Sequence, residues 1–170
     1  SSITEIFALE WGQHPEKKVA WDQLDWNGIL HLMPIRVAVY SALTRDMEVA
    51  RYKGSALANK IIESRDHGPK YTYLIGHDTN LANLGEIFDL NWKLPGRDQN
   101  ENTPGGYLTF EKWSVNGQPE IRVFYSALSP EQIHAERVTQ PTDDFEILPR
   151  GTKFDEWKTT YGRRLQSNCI

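Results

Sequence analysis

The chain has 170 residues, of which 39% are hydrophobic and 25% charged, a composition that suits a folded domain and excludes a disordered or collagen-like segment. The formal net charge of -4 argues against a general nucleic-acid binder, because such proteins are normally basic. No apolar run approaches the roughly 18 residues of a membrane span, so we expect no membrane partner. The sequence opens without Met and without a signal peptide, from which we expect a processed or partial chain.

The first third of the chain has the apolar periodicity of helices. Asp, Ser and Thr side chains at the start of such segments are typical helix caps, and Gly or Pro often ends them. On these signals we predict three helices: residues 3–11, a segment from Asp22 to Leu43 that is disturbed at Pro34, and a segment that follows Thr44 or Asp46 and reaches Ile62.

The second part of the chain predicts strands as well as helices. Residues 71–75 are a short β-branched and aromatic run that indicates a buried strand. Helical spacing then returns at residues 81–88, and Asn116-Gly117 between two alternating runs is a strong hairpin signal. Further elements are predicted as a helix from Ser129-Pro130-Glu131, a strand at residues 145–148 and a helix at residues 154–165.

This order predicts an α/β fold in which helices flank a mixed β-sheet. We expect residues 1–66 to form a mainly helical segment and residues 70–170 to form the sheet. The second segment carries the feature of greatest chemical interest, a His-Asp pair that directly follows the predicted strand.

The junction Gly76-His77-Asp78-Thr79-Asn80 is the best candidate for a site. Ligands of open α/β sheets bind beyond the carboxyl ends of strands, and a helix N-terminus there offers unpaired N–H groups to a phosphate. In this interpretation His77 donates a hydrogen bond to an anion and Asp78 passes a proton. The alternative is structural: Asp78 caps a helix and His77 is a satisfied core histidine.

Other polar residues give weaker signals. Arg51 and Lys53 either reach into a cleft or form a solvated basic face, and Glu5 is by default a surface carboxylate. The histidines have no ligand spacing, so we expect no metal site: His14, His31 and His134. The single cysteine, Cys169, is either an inert thiol or the partner of a cysteine outside this sequence.

Three segments together resemble the C-terminal portion of bacterial histidine acid phosphatases, of the periplasmic phytase and glucose-1-phosphatase type. They are Gly76–Leu84, Leu94–Gly96 and Thr103–Trp113, and residues 2–7 and 48–51 fit the same family. The family's Arg-His-Gly-x-Arg-x-Pro segment, which carries its histidine nucleophile, is absent from this sequence. We therefore expect a histidine-phosphatase-like fold that is incomplete in this chain.

The resemblance implies roles for five residues. Asp78 is the general acid for the leaving alcohol, His77 binds the phosphate, and substrate-lining positions fall to Thr79, Glu5 and Lys53. The implied substrate is an inositol or sugar phosphate, and the implied reaction passes through a phosphohistidine without a metal or other cofactor.

The same resemblance implies a periplasmic or secreted address and a disulfide from Cys169 to the missing N-terminal part. The alternative function is a non-catalytic remnant, truncated or anion-binding, that keeps the fold without the nucleophile. On either interpretation we expect this chain alone to be inactive.

Overall fold

A computed structural model of the chain describes residues 2–13, 17–129, 132 and 143–166. Its helices are α1 (Ser2–Gln13), α2 (Trp26–Thr44), α3 (Met47–Asp66), α4 (Asp78–Ile87) and α5 (Phe154–Gly162). Its strands are β1 (Tyr107–Val115), β2 (Gln118–Ala127) and β3 (Asp143–Glu146). Among these helices, none is both long and apolar enough to cross a membrane.

Side-chain caps explain where α2 and α3 begin. The Asp25 carboxylate accepts the N–H of Gly28 at 2.9 Å, so the cap of α2 is Asp25 and the predicted cap Asp22 is wrong. Asp22 lies in the preceding turn with a φ of 63°, which is not the extended backbone that a cap needs. Asp46 caps α3 as predicted. Helix α2 continues through Pro34, and α2 packs against α1.

The sheet has the order β1-β2-β3, and both neighbouring pairs are antiparallel. Asn116 and Gly117 form the predicted hairpin turn, with φ values of 50° and 78°. Two positive φ angles in succession match the twist of the flanking strands. The predicted strand and helix near the C-terminus are present as β3 and α5, whereas the predicted helix at 129–131 falls mainly outside the described residues.

The α/β fold class is confirmed, but two details of the sheet differ from the prediction. Residues 71–75 do not form a strand, and the described strands make an antiparallel sheet instead of a mixed one. Tyr71, Tyr73 and Ile75 are 82%, 88% and 89% exposed. The physical reason is that a strand exists only as one member of a hydrogen-bonded pair, and no described strand lies beside this segment.

Two hydrophobic clusters hold the elements together. The larger lies between α3, α4, α5 and the sheet. There the centre of the Phe88 ring lies 4.9 Å from that of Trp157 and 5.5 Å from that of Phe110. The smaller joins α1 to α2 around Ile29 and Met33. Helix α4 is thus fixed within the larger cluster, and its N-terminal end carries the His-Asp pair.

Candidate active site

The His-Asp pair stands where an exposed extended segment enters α4. His77 is the N-cap with extended backbone, a φ of -114° and a ψ of 169°, and its side chain is exposed. Its N–H donates to Asn80 Oδ1 at 2.8 Å, and its carbonyl accepts the Asn80 N–H at 3.0 Å. This reciprocal pair fixes the turn, so the exposed His77 ring projects from a rigid helix end.

Asp78 is half-buried in the first turn of α4. Its Oδ1 accepts the N–H of Thr79 at 2.7 Å, which leaves Oδ2 for another donor. The Asn102 side chain, from the loop that precedes β1, donates through Nδ2 to the Asp78 carbonyl at 3.2 Å. The Thr79 N–H therefore holds the Asp78 carboxyl from within the helix, and Asn102 holds the Asp78 main chain from a second part of the chain.

Tyr40 brings a third element, α2, to the same place. Its hydroxyl lies close enough to Asp78 and Asn102 for both side chains to affect its ionisation. Burial, followed by the charge of Asp78, raises the pKa of Tyr40 far above its usual value, so the hydroxyl stays protonated. The guanidinium of Arg36 lies 5.3 Å from the centre of the Tyr40 ring.

The predicted pocket residue Glu5 is connected through Arg36 to the cluster of Tyr40, Asp78 and Asn102. Its Oε1 lies 2.9 Å from Arg36 Nη2, and the Arg36 side chain is only 6% exposed whereas Glu5 is partly open. A cavity of about 360 Å³ adjoins the Glu5–Arg36 pair and lies between α1, α2 and the loop that precedes β1. Much of its wall is apolar, and its lining includes Trp11, Trp26, Met33, Arg36, Arg97 and Asn102.

The remaining predicted residues lie apart or serve the fold. Thr79 is exposed beside Asp78, whereas Lys53 is exposed on α3 and has no ion pair with the site among the described residues. Arg51 donates through Nε to the Arg164 carbonyl at 2.6 Å, which makes it a contact between elements. The His31 ring bonds the Asn27 carbonyl of its own helix at 2.7 Å.

Three of the predicted residues, His14, His134 and Cys169, lie outside the described residues. Within the described ranges, no group of three or more His, Cys, Asp or Glu side chains is arranged to hold a metal ion.

Sequence reasoning missed Tyr40, Asn102 and Arg36. Tyr40 and Arg36 are two of several polar residues in a mostly apolar helix, which is a weak signal because such residues are commonly solvated. Asn102 directly precedes the Thr-Pro-Gly-Gly stretch, which carried part of the resemblance. Only the tertiary fold brings these three residues to Asp78.

Comparison with known proteins finds two curated relatives, while no family model matches the chain. Phytase AppA of Escherichia coli is 38% identical over 130 residues, and glucose-1-phosphatase of Salmonella typhimurium is 31% identical over 124 residues. In both cases the match covers 66% of this chain and 29% of the relative. The chain is therefore homologous to both enzymes and spans only part of their length.

Solved phytase structures share the fold. The Klebsiella sp. ASR1 phytase matches with a TM-score of 0.86 and 22% identity, over 98% of this chain and 47% of that one. The Hafnia alvei phytase in complex with myo-inositol hexakis sulphate matches with a TM-score of 0.82 and 23% identity, over 98% and 48%. Together with the homology, the shared fold is consistent with a C-terminal portion of a histidine acid phosphatase.

Proposed function

We propose that this chain, a homologue of phytase and glucose-1-phosphatase, supplies the general acid and part of the phosphate pocket of a histidine acid phosphatase. The complete enzyme hydrolyses phosphomonoesters through a phosphohistidine intermediate. The observation that carries the proposal is the half-buried Asp78 beside the exposed His77 at a helix N-terminus: the Asp78 carboxyl accepts the Thr79 N–H, and its main-chain carbonyl accepts the Asn102 amide.

The proposed reaction has two steps. A histidine from the missing N-terminal part attacks phosphorus, a P–N bond forms, the ester P–O bond breaks, and Asp78 gives its proton to the leaving oxygen. Water then attacks phosphorus, the P–N bond breaks, and the Asp78 carboxylate takes a proton from that water. His77 stabilises the phosphoryl oxygens in both steps.

The proposed substrate is a phosphorylated small molecule of the inositol phosphate or sugar phosphate class. The names of the two relatives support this class, as does the inositol hexakis sulphate complex of the Hafnia alvei phytase. We assign Thr79, Glu5 and Lys53 to the substrate pocket. For Glu5 the support is its position at the cavity, whereas the assignments of Thr79 and Lys53 rest on the resemblance.

The proposed partner is the N-terminal part of the same enzyme, joined through a disulfide at Cys169 in a periplasmic or secreted setting. The second candidate function is a non-catalytic, anion-binding remnant. It is favoured by one observation, that no Arg-His-Gly-x-Arg-x-Pro segment occurs in the 170 residues.

A chimera separates the two candidates. This chain is fused to the part of phytase AppA that the match leaves uncovered, and hydrolysis of a sugar phosphate and of p-nitrophenyl phosphate is measured. We expect the 170-residue chain alone to be inactive and the chimera to be active. Asp78→Asn in the chimera should lose more rate on the sugar phosphate, because an alkoxide needs a proton and p-nitrophenolate leaves largely unaided.

The controls are circular dichroism and thermal unfolding, which must match between the chimera and its Asp78→Asn form. A folded but inactive chimera favours the non-catalytic remnant. Equal losses on the two substrates in Asp78→Asn take the acid role away from Asp78.

A further inference from the structure

The Tyr40 hydroxyl is a polar group at the site that the proposed mechanism leaves unused. Its oxygen is fully buried and makes no hydrogen bond of standard geometry with the described residues. Asn102 Oδ1 is also buried without a hydrogen-bond partner among the described residues, although the Nδ2 of that side chain donates to the Asp78 carbonyl. Because a buried hydroxyl without a partner is unfavourable, the Tyr40 proton needs an acceptor.

The groups that face Tyr40 leave few acceptors. Arg36, on the same helix, is a cation without acceptor atoms and is itself paired with Glu5 of α1. From α4 comes the Asp78 carboxyl, and from the loop before β1 comes the Asn102 amide. Of these, the Asp78 carboxyl is the stronger acceptor, because a hydrogen bond to an ionised group is shorter and stronger than one to an amide.

We propose that Tyr40 is a positioning residue for Asp78, to whose carboxyl its hydroxyl donates a hydrogen bond. This inference rests on the proposed function, which gives Asp78 its role. The Thr79 N–H restrains Oδ1 from within the helix turn, and Tyr40 restrains the same carboxyl from α2. Together they set the direction in which Asp78 offers its proton.

The bond also acts on the chemistry of Asp78. A hydrogen bond donated to a carboxylate favours the charged form, which Asp78 becomes when it protonates the leaving oxygen. Tyr40 itself stays neutral in this step because burial and the neighbouring carboxyl raise its pKa. Loss of one such bond changes an equilibrium by about tenfold, so we expect Tyr40→Phe to weaken proton delivery by Asp78 by about that factor.

Carbon NMR of the 170-residue chain tests the contact directly. The position of the Asp78 Cγ signal, assigned with Asp78→Asn, is compared at one pH in the unmodified chain, in Tyr40→Phe and in Tyr52→Phe. Tyr52 is exposed on α3 and serves as the matched control. We expect the signal to move in Tyr40→Phe alone, because only that variant removes a hydroxyl bonded to the carboxyl. An Asp78 Cγ signal at the same position in all three proteins overturns the proposal.

Two further measurements separate this inference from the proposed function. The first is the carbon NMR signal of Tyr40 Cζ in the unmodified chain, recorded in mixed H2O and D2O. Two resolved signals indicate a slowly exchanging, hydrogen-bonded hydroxyl, whereas one averaged signal overturns the bond. This measurement needs no variant, so it holds even if Tyr40→Phe does not fold. In the chimera, Tyr40→Phe should lower kcat about tenfold on a sugar phosphate and much less on p-nitrophenyl phosphate. If Asp78→Asn loses activity equally on both substrates while the Asp78 Cγ signal still moves in Tyr40→Phe, the proposed function fails and Tyr40 is left with a contact but no catalytic consequence. An unmoved signal beside a leaving-group effect in Asp78→Asn overturns the Tyr40 inference alone.

Discussion

The ion pair between Arg97 and Glu101 gives the clearest stability prediction. Both side chains are only 5% exposed, and Arg97 Nη1 lies 3.2 Å from Glu101 Oε1. Arg97 Nη2 donates to the Leu128 carbonyl at 3.1 Å, and Glu101 Oε2 accepts the Asp98 N–H at 2.8 Å. The pair therefore fastens the loop before β1 to the end of β2, and Asn102, which binds the Asp78 carbonyl, comes next along that loop.

Glu101→Leu leaves the Arg97 cation buried without its counter-charge. Breaking one side of a buried pair costs about 3–5 kcal/mol, whereas replacing both sides by apolar groups is often neutral. In a chain of this size each kcal/mol changes the melting temperature by about 2–4 °C, so we expect a fall of roughly 6–20 °C. The double variant Arg97→Met with Glu101→Leu should recover most of that loss.

Thermal unfolding followed by circular dichroism measures both variants. The matched control is Arg150→Ala, which breaks the i,i+4 ion pair with Glu146. The Arg150 side chain is 74% exposed, so this pair should contribute less than about 1 kcal/mol. A loss in Glu101→Leu no larger than that of the control, or a double variant as unstable as the single one, refutes the reasoning.

Three other predictions concern packing and charge. Gly54→Leu should destabilise the chain by about 1–3 kcal/mol in urea unfolding, because a Cβ there would come within 3.1 Å of Asn83 Cβ, and an unchanged midpoint contradicts it. Asn83→Ala should cost about 1–3 kcal/mol in the same assay, since its Nδ2 donates at 2.7 Å to the carbonyl of the last residue of α2, and a smaller loss than that of the half-buried Asn59→Ala would disprove it. The hydrogen bond from Lys158 to Asp66, at 2.6 Å, lowers the pKa of Asp66, so its contribution exists above about pH 4 and disappears as the pH falls through the lower folded pKa. Lys158→Met should therefore lower the urea midpoint near pH 7 and leave it unchanged near pH 2, and equal losses at both pH values contradict this.

Local signals were sufficient for the elements that short stretches of sequence determine. Asp46 caps α3 because its carboxylate accepts the N–H groups of Glu48 and Val49 at 3.1 Å, and Asn116-Gly117 turns the hairpin because both residues accept a positive φ. The choice between Asp22 and Asp25 is of another kind. Both are acceptable caps by residue type, and the positive φ at residues 20–22 decides between them.

The site was only partly predictable for a related reason. The His-Asp pair follows a short strand-like run and precedes helical spacing, so its place at a helix N-terminus could be read from neighbouring residues. Asn102 bonds Asp78 from 24 positions away, and Tyr40 approaches from a different helix. Such contacts depend on how α2, α4 and the loop pack, which no periodicity encodes.

The exposed segment at residues 71–76 leads to the last prediction. Its composition is that of a buried strand, and yet Tyr71, Tyr73 and Ile75 face solvent. Aromatic and β-branched residues favour a strand only through packing and pairing, so the prediction fails for want of a neighbour and not because the pattern is misleading. If the rest of the enzyme supplies strands on both sides, the same residues become buried.

Amide hydrogen exchange tests this reasoning. In the isolated chain, residues 71–76 should exchange almost without protection, because no described strand pairs with their N–H groups. In the chimera with the uncovered part of phytase AppA, the same amides should be protected to the level of β2. Residues 118–127 are the internal reference, since β2 pairs with β1 along its length and with β3 at residues 124–127. Protection of 71–76 in the monomeric isolated chain would show that the segment finds a partner within these 170 residues. Slow exchange in the chimera could then no longer be attributed to strands supplied by phytase AppA.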